Sequence, residues 1–228
     1  MASPLGEYTW TECDRIERRP LLVVPVGSCE QHGPHLPLDT DTRIAVALAE
    51  RLVDSFGPGE LLLAPALSIT ASGEHAKFPG TLSIGNEVFQ QVVVELVRSA
   101  DWTGGVVLVN GHAGNRAAVD SAVRQLDREY KRVLSWWPRV DGGDSHAGHT
   151  ETSLMLAIAP QMVRMRDAEQ GNTAPLSELI GTMRRLGVQA VSPNGVLGDP
   201  RRATAKAGRT LLTKLTFDLC AAVDEWWR

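Results

Sequence analysis

The chain has 228 residues, of which 43% are apolar and 22% charged, proportions that argue against a disordered or fibrous protein. Its net charge of −4, with basic clusters (Arg15 to Arg19, Arg184-Arg185, Arg201-Arg202) that are short and mixed with acids, argues against a nucleic-acid partner. Three isolated cysteines without C-x-x-C spacing and the lack of any bilayer-length apolar run point to a cytoplasmic protein, read as one domain over residues 1–228.

Leu21 to Gly27 (LLVVPVG) is a short, continuous apolar run closed by glycine, the pattern of a strand buried on both faces. The polar stretch GSCEQHGPHLPLDTD overlaps its end, and then Ile44, Leu48 and Leu52 set a helical period. Leu61 to Leu67 repeats the strand pattern, and Phe89, Val92, Val93, Leu96 and Val97 repeat the helical one. A third strand is expected at Gly105 to Gly111 (GVVLVNG), running into NGHAGN and a helix carrying Val119, Ala122, Val123, Leu126 and Tyr130. Arg132 to Trp137 is a weaker fourth strand, followed by DGGDSHAGHTE. Glycines and Pro200 then mark loops until Ala203 to Arg228, a terminal amphipathic helix that Trp226 and Trp227 either anchor or offer to a neighbouring subunit. Parallel neighbours need long crossover connections, so this alternation predicts a three-layer α/β/α sandwich with a mostly parallel central sheet.

Three polar stretches therefore follow three predicted strands. Ligands bind outside the carboxyl ends of strands in open parallel sheets, so these loops are expected to converge on one edge. They carry His32, His112, His146 and His149 together with Glu30, Asp39, Asp41, Asp144 and Glu151. Imidazole and carboxylate without thiolate is the donor set of a hydrolytic metal centre. Taken singly, each residue has a plainer reading: Asp41 as a helix cap, NGHAGN as a tight turn, and any one histidine as a buried group that merely pairs. The coincidence in three separate loops favours the metal. Cys29, beside Glu30, offers a different chemistry as a thiol nucleophile, provided a histidine activates it.

EQHGPHLPLDTD, EHAKFPGTLSI, NGHAGN, HAGHTETS and GVLGDPRRAT, in that order, resemble the creatininase family of metal-dependent amidohydrolases, from about Leu21 to Gly208. The resemblance implies that Glu30 and His112 hold one metal, that His32 holds the other and that Asp41 bridges them. The family's acid two residues after the histidine is replaced here by Gly114, which brings Glu151 of HAG-x-x-E forward as the substitute ligand. Two divalent ions, zinc with iron or manganese, are implied as cofactors. His146 is expected to give a proton to the leaving amine, with Glu151 beside it. His75, Trp137 and Asp144 are candidates to touch substrate, and His35 to support the ligands; each has a structural role as its alternative. Ala113 stands where creatininase has an aromatic residue, which disfavours creatinine.

Within the family, the combination of GSCEQHGPHLPLDTDTRIAVA with HAGHTETSLML is similar to peptidases that mature a modified precursor peptide, which implies release of a carboxy-terminal Val-Tyr dipeptide. The alternatives are a small cyclic amide or formamide substrate, and a metal-stabilised scaffold without catalysis. Homo-oligomers, hexamers among them, are implied by the family, with the GVLGDPRRAT loop and the terminal helix as interface elements.

Overall fold

A computed structural model describes residues 4–227, so Met1 to Ser3 and Arg228, which the sequence reading included at its two ends, lie outside the described residues. In chain order the elements are α1 (Trp10–Asp14), β1 (Leu21–Val26), α2 (Thr40–Asp54), β2 (Leu61–Leu63), α3 (Gly85–Ser99), β3 (Gly105–Asn110), α4 (Arg116–Arg128), β4 (Val133–Trp136), α5 (His149–Ile158), α6 (Leu176–Leu186) and α7 (Ala205–Trp227). The four strands form one sheet in the order β2-β1-β3-β4, every pair parallel.

Residues of β1 alternate between the two faces, as the pleat dictates. Leu21 and Val23 join Leu48, Leu52, Met155 and Leu215 in a core with α2, α5 and α7. Leu22, Val24 and Val26 join Phe89, Val93, Val119 and Leu126 in a second core with α3 and α4. The result is the three-layer α/β/α arrangement with a parallel sheet. β1 and β3 sit at the centre, buried on both faces, which is why their sequences read as unbroken apolar runs rather than alternating ones.

Two expectations are corrected. The second strand stops at Leu63 rather than Leu67, because Pro65 has no N–H to give the ladder; the chain touches the sheet again only where Leu67 bridges Val26. HAGHTE is not wholly loop, since α5 begins at His149. Its sequence HTETSLMLAI has an apolar end without helical period because the helix is buried between α2 and α7, and Gly208 of α7 packs so tightly on the Ser153 carbonyl that no side chain fits there. The GVLGDPRRAT stretch begins inside the chain, with Val196 and Leu197 buried and Leu197 bridging His146, and ends outside it, with Arg201 and Arg202 exposed. Trp226 and Trp227 anchor α7 within the chain, packing on the core beneath the Arg132 guanidinium, 5.2 and 4.6 Å from the two rings.

The order β2-β1-β3-β4 reverses direction at β1, so the loops after β1 and β3 diverge and leave a crevice at their carboxyl ends. That crevice receives the polar loops.

Candidate metal centre

Glu30 and His32 lie in the loop that leaves β1, and Asp41 sits in the first turn of α2, which that loop feeds. His112 follows β3 by two residues, and Glu151 lies in the first turn of α5. All five meet. Asp41 is the hinge of the arrangement: one oxygen lies 3.0 Å from His32 Nε2 and the other 3.0 Å from His112 Nδ1, while the Ser28 hydroxyl donates to the latter oxygen at 2.9 Å. Glu30 Oε2 is 3.2 Å from His112 Nε2, and Glu151 Oε2 is 3.9 Å from His32 Nε2.

Within this cluster three groups have donor atoms close enough to hold an ion: Glu30 with Asp41 and His112, His32 with Asp41 and Glu151, and Glu30 with His32 and His146. The first two share Asp41, one oxygen to each side, as two neighbouring cations require.

The charge balance points the same way. Glu30 is fully buried, and neither of its carboxylate oxygens has a hydrogen-bond partner. A buried carboxylate without hydrogen bonds costs several kcal/mol, so burial pushes this carboxyl up to about 8 against the pull of His112. Burial alone would push His32 and His112 down. Asp41 acting on His32, and Glu30 with Asp41 acting on His112, outweigh it and push both rings up to about 10. Without metal, two imidazolium charges thus stand among the acids where divalent cations fit. Glu151, half-buried beside Asp41, is pushed up to about 7 by the burial of its carboxyl and by the Asp41 charge.

The remaining expectations divide. His146 is buried against the cluster, its ring 4.3 Å from His32 and 4.5 Å from His75, with Nε2 2.9 Å from the Gln31 carbonyl. His75 belongs to the same ring of groups, with Nε2 3.3 Å from Glu30 Oε1. His35 is buried outside it and contacts the Thr152 hydroxyl at 2.8 Å, tying the loop of Glu30 and His32 to the helix of Glu151. Asp144 is spent on structure: its oxygens accept from the N–H groups of His149 and Thr150 and cap α5, an engagement that removes the reason to place substrate on it. Asp41 is not the cap of α2, a position held by Asp39. Trp137 lies against the guanidiniums of Arg116 and Arg139, 4.3 and 5.6 Å from its ring, rather than in the core. Cys29 Sγ faces the Gly80 carbonyl at 3.8 Å, with no activating imidazole beside it among the described contacts.

Two residues that the sequence reading did not single out complete the site. Gln31 is buried among His75, His146 and Gly195. Glu74, from the turn Gly73–His75, brings Oε1 to 3.7 Å from His112 Nε2. A Cβ on Gly114 would run into both that oxygen and the His112 ring, so the glycine makes room for Glu74. One backbone feature serves the site directly. Ala147 adopts φ 51°, uncommon for a residue with a side chain, and its N–H donates to Glu151 Oε2 at 2.6 Å.

Comparison with known proteins agrees with this geometry. The family profile for creatininase, creatinine amidohydrolase, matches residues 6–223. The mycofactocin precursor peptide peptidase of Mycolicibacterium smegmatis is 46% identical over 99% of this chain and 93% of its own. Creatinine amidohydrolase of Pseudomonas putida is 32% identical over 70% of this chain and 73% of its own. A solved structure of a mutant creatininase superposes with TM-score 0.82 at 25% identity, covering 99% of both chains.

Proposed function

The chain belongs to the creatininase family, and from that premise we propose that it is a peptidase cutting an amide bond at two divalent cations held by Glu30, His32, Asp41, His112 and Glu151. The observation that carries the reading is the buried carboxylate of Glu30, which accepts no hydrogen bond although imidazole nitrogens stand 3.2 to 3.8 Å from it. Such a group is tolerated where a cation completes it.

The residues that would hold these cations are Glu30, Asp41 and His112 on one side and His32, Asp41 and Glu151 on the other, and bound cations would supply a Lewis acid for the scissile carbonyl and a water with a pKa of about 7. The protein's own groups do the rest. Asp41 holds the two halves of the centre in register through its two oxygens. Ala147 fixes one oxygen of Glu151, whose side chain retains 21% exposure and so stands at the open edge of the centre, where an acid can pass a proton to the departing amine. Leu197 and His75, both buried, and Gly195, which accepts from Gln31, line the site on the side away from Glu151.

The substrate follows from the relatives matched over nearly the whole chain, which are named for the mycofactocin precursor peptide. We assign this chain the same class, a modified precursor peptide from which a C-terminal Val-Tyr dipeptide is released. Zinc with iron or manganese suits the oxygen and imidazole donors. We extend the reading to a cytoplasmic homo-oligomer, hexameric or similar, which sedimentation would test. No helix among the described residues is long and apolar enough to cross a membrane. In the decisive assay, metal-reconstituted native protein and its Glu30→Ala variant are incubated with the modified precursor, and dipeptide release is followed by mass spectrometry. Release by the native protein alone is expected. No release, with turnover of creatinine or a formamide instead, would move the substrate to small amides.

A further inference from the structure

Beside the metal centre, at the carboxyl edge of the sheet, the chain sets two arginines against one indole. Trp137 directly follows β4, whose Trp136 pairs with Val109 of β3, so it emerges at the same edge as His112. Arg116 opens α4 just after the His112 loop, and its guanidinium lies 4.3 Å from the centre of the Trp137 ring. Arg139, on the chain that leaves Trp137, lies 5.6 Å from the same ring. A cation facing an aromatic ring is held in place without being neutralised. Among the described contacts Arg116 meets one acid, the exposed Asp120 at 3.7 Å from Nε, and Arg139 meets none.

Other guanidiniums of this surface meet carboxylates closely: Arg98 lies 2.6 Å from Glu95 and from Glu129, Arg43 2.8 Å from Asp39, and Arg201 2.8 Å from Asp199. The pair at Trp137 instead keeps its terminal N–H groups open, in the planar fork that a carboxylate matches. Position decides which part of a peptide would meet them. Asp41 has His32 and Glu151 to one side and His112 to the other. With the departing amine at Glu151, the acyl part of the substrate leaves over His112. There Ala113 is exposed and Gly114 bears no side chain, so the way to Arg116 is unobstructed. The turn Ala113–Asn115 rises about 2 Å per residue, which puts Arg116 roughly 8 Å along the chain from His112. An extended peptide covers that distance in about two to three residues, and the arginine side chains reach farther.

We propose that Arg116 and Arg139 form the docking surface for an acidic side chain of the peptide, roughly three to five residues ahead of the scissile bond on its acyl side. Trp137 is the positioning residue that holds both guanidiniums. The substrate is then an acidic peptide, selected by charge outside the metal centre and cut within it. This assignment rests on the peptidase reading above and deepens it, since a small cyclic amide or formamide is too short to reach from the centre to Arg116.

The test separates binding from cleavage. Zinc-loaded native protein and the double variant Arg116→Gln with Arg139→Gln are titrated with a dye-labelled, uncleavable analogue of the precursor that carries a methylene in place of the scissile carbonyl. A second analogue has Asn and Gln in place of every Asp and Glu. Fluorescence anisotropy at low and at physiological salt reads the affinity. The native protein should bind the acidic analogue about 10-fold or more tightly than the neutral one, as charge-assisted hydrogen bonds allow. The double variant should lose that preference, and added salt should weaken its binding less than it weakens the native protein's. Trp137→Leu, which releases the guanidiniums, should fall between the two. Equal affinity of the native protein for both analogues, a preference that survives in the double variant, or no binding of either analogue would overturn the proposal. Cleavage of the unaltered precursor tests the underlying reading separately. A native protein that binds the acidic analogue through these arginines but releases no dipeptide is no peptidase, whereas one that cuts the acidic and neutral peptides with equal kcat/KM remains a peptidase and loses this docking surface.

Discussion

Replacing Glu30 by Gln should make the metal-free protein more stable while destroying its capacity for metal. Glu30 is buried without a hydrogen-bond partner, and its carboxyl is lifted from 4.5 to about 8. A carboxyl whose folded pKa is raised is a penalty: absent below about pH 4.5, it grows by about 1.4 kcal/mol with each pH unit and levels above about pH 8. At pH 7 the wild-type residue therefore costs about 3 kcal/mol. Glutamine removes that cost but buries an amide with no better partners, which returns about 1–2 kcal/mol. The net gain is on the order of 1–2 kcal/mol, or roughly 2–8 °C in Tm for a chain of this size. Thermal and urea denaturation of chelator-stripped native protein and Glu30→Gln at pH 5, 6, 7 and 8 would measure it, alongside zinc titration. The stability gap between variant and native should widen from pH 5 to pH 8, and zinc binding should collapse. A gap that stays level or narrows as pH rises would refute the reasoning, as would native zinc affinity in the variant.

Three further outcomes follow from the same geometry. His32 and His112 are pushed up to about 10 in the metal-free protein, so zinc must displace their protons; calorimetry near pH 7 in buffers of different ionisation enthalpy should show net proton release. Because their folded pKa values are raised, the stability they contribute is full below about pH 6.5 and is lost as pH climbs through about 10, which denaturation of the metal-free chain between pH 7 and 10 would reveal. Gly114→Ala should press on Glu74 and His112 and lower zinc affinity by about 10-fold with the fold intact, a shift that chelator competition and circular dichroism would separate from unfolding. Leu48→Ala, at a fully buried position of the α2 core, should cost about 2–5 kcal/mol in urea denaturation without altering zinc stoichiometry.

The fold was legible wherever burial wrote a simple pattern. β1 and β3 are buried on both faces and read as apolar runs, and α2, α3 and α4 each present one face to the sheet and so show a helical period. Where burial was complete or weak the pattern failed: α5 is enclosed, and α6 has no fully buried residue. Charged donors in three post-strand loops made the candidates conspicuous, and the family resemblance narrowed them to the five expected ligands, but their convergence depends on the crevice between β1 and β3, which strand order alone decides. Gln31 carries no charge and so gave no ligand signal, although it stands between Glu30 and His32 in the same motif. Glu74 adjoins His75 in a loop from a different part of the chain, and only the space beside Gly114 relates it to His112. Asp144 looked like a site residue because it carries a charge in the right loop, whereas a helix start had the stronger claim on it.

The central claim is that one buried cluster holds two cations. Anomalous diffraction from crystals of the zinc-reconstituted protein tests it most directly. The account predicts two peaks about 3.5 Å apart, the spacing of a two-metal hydrolytic site, with Asp41 between them, Glu30 and His112 on one side and His32 with Glu151 on the other. A single peak, or zinc bound elsewhere while Glu30 remains unpartnered, would contradict it.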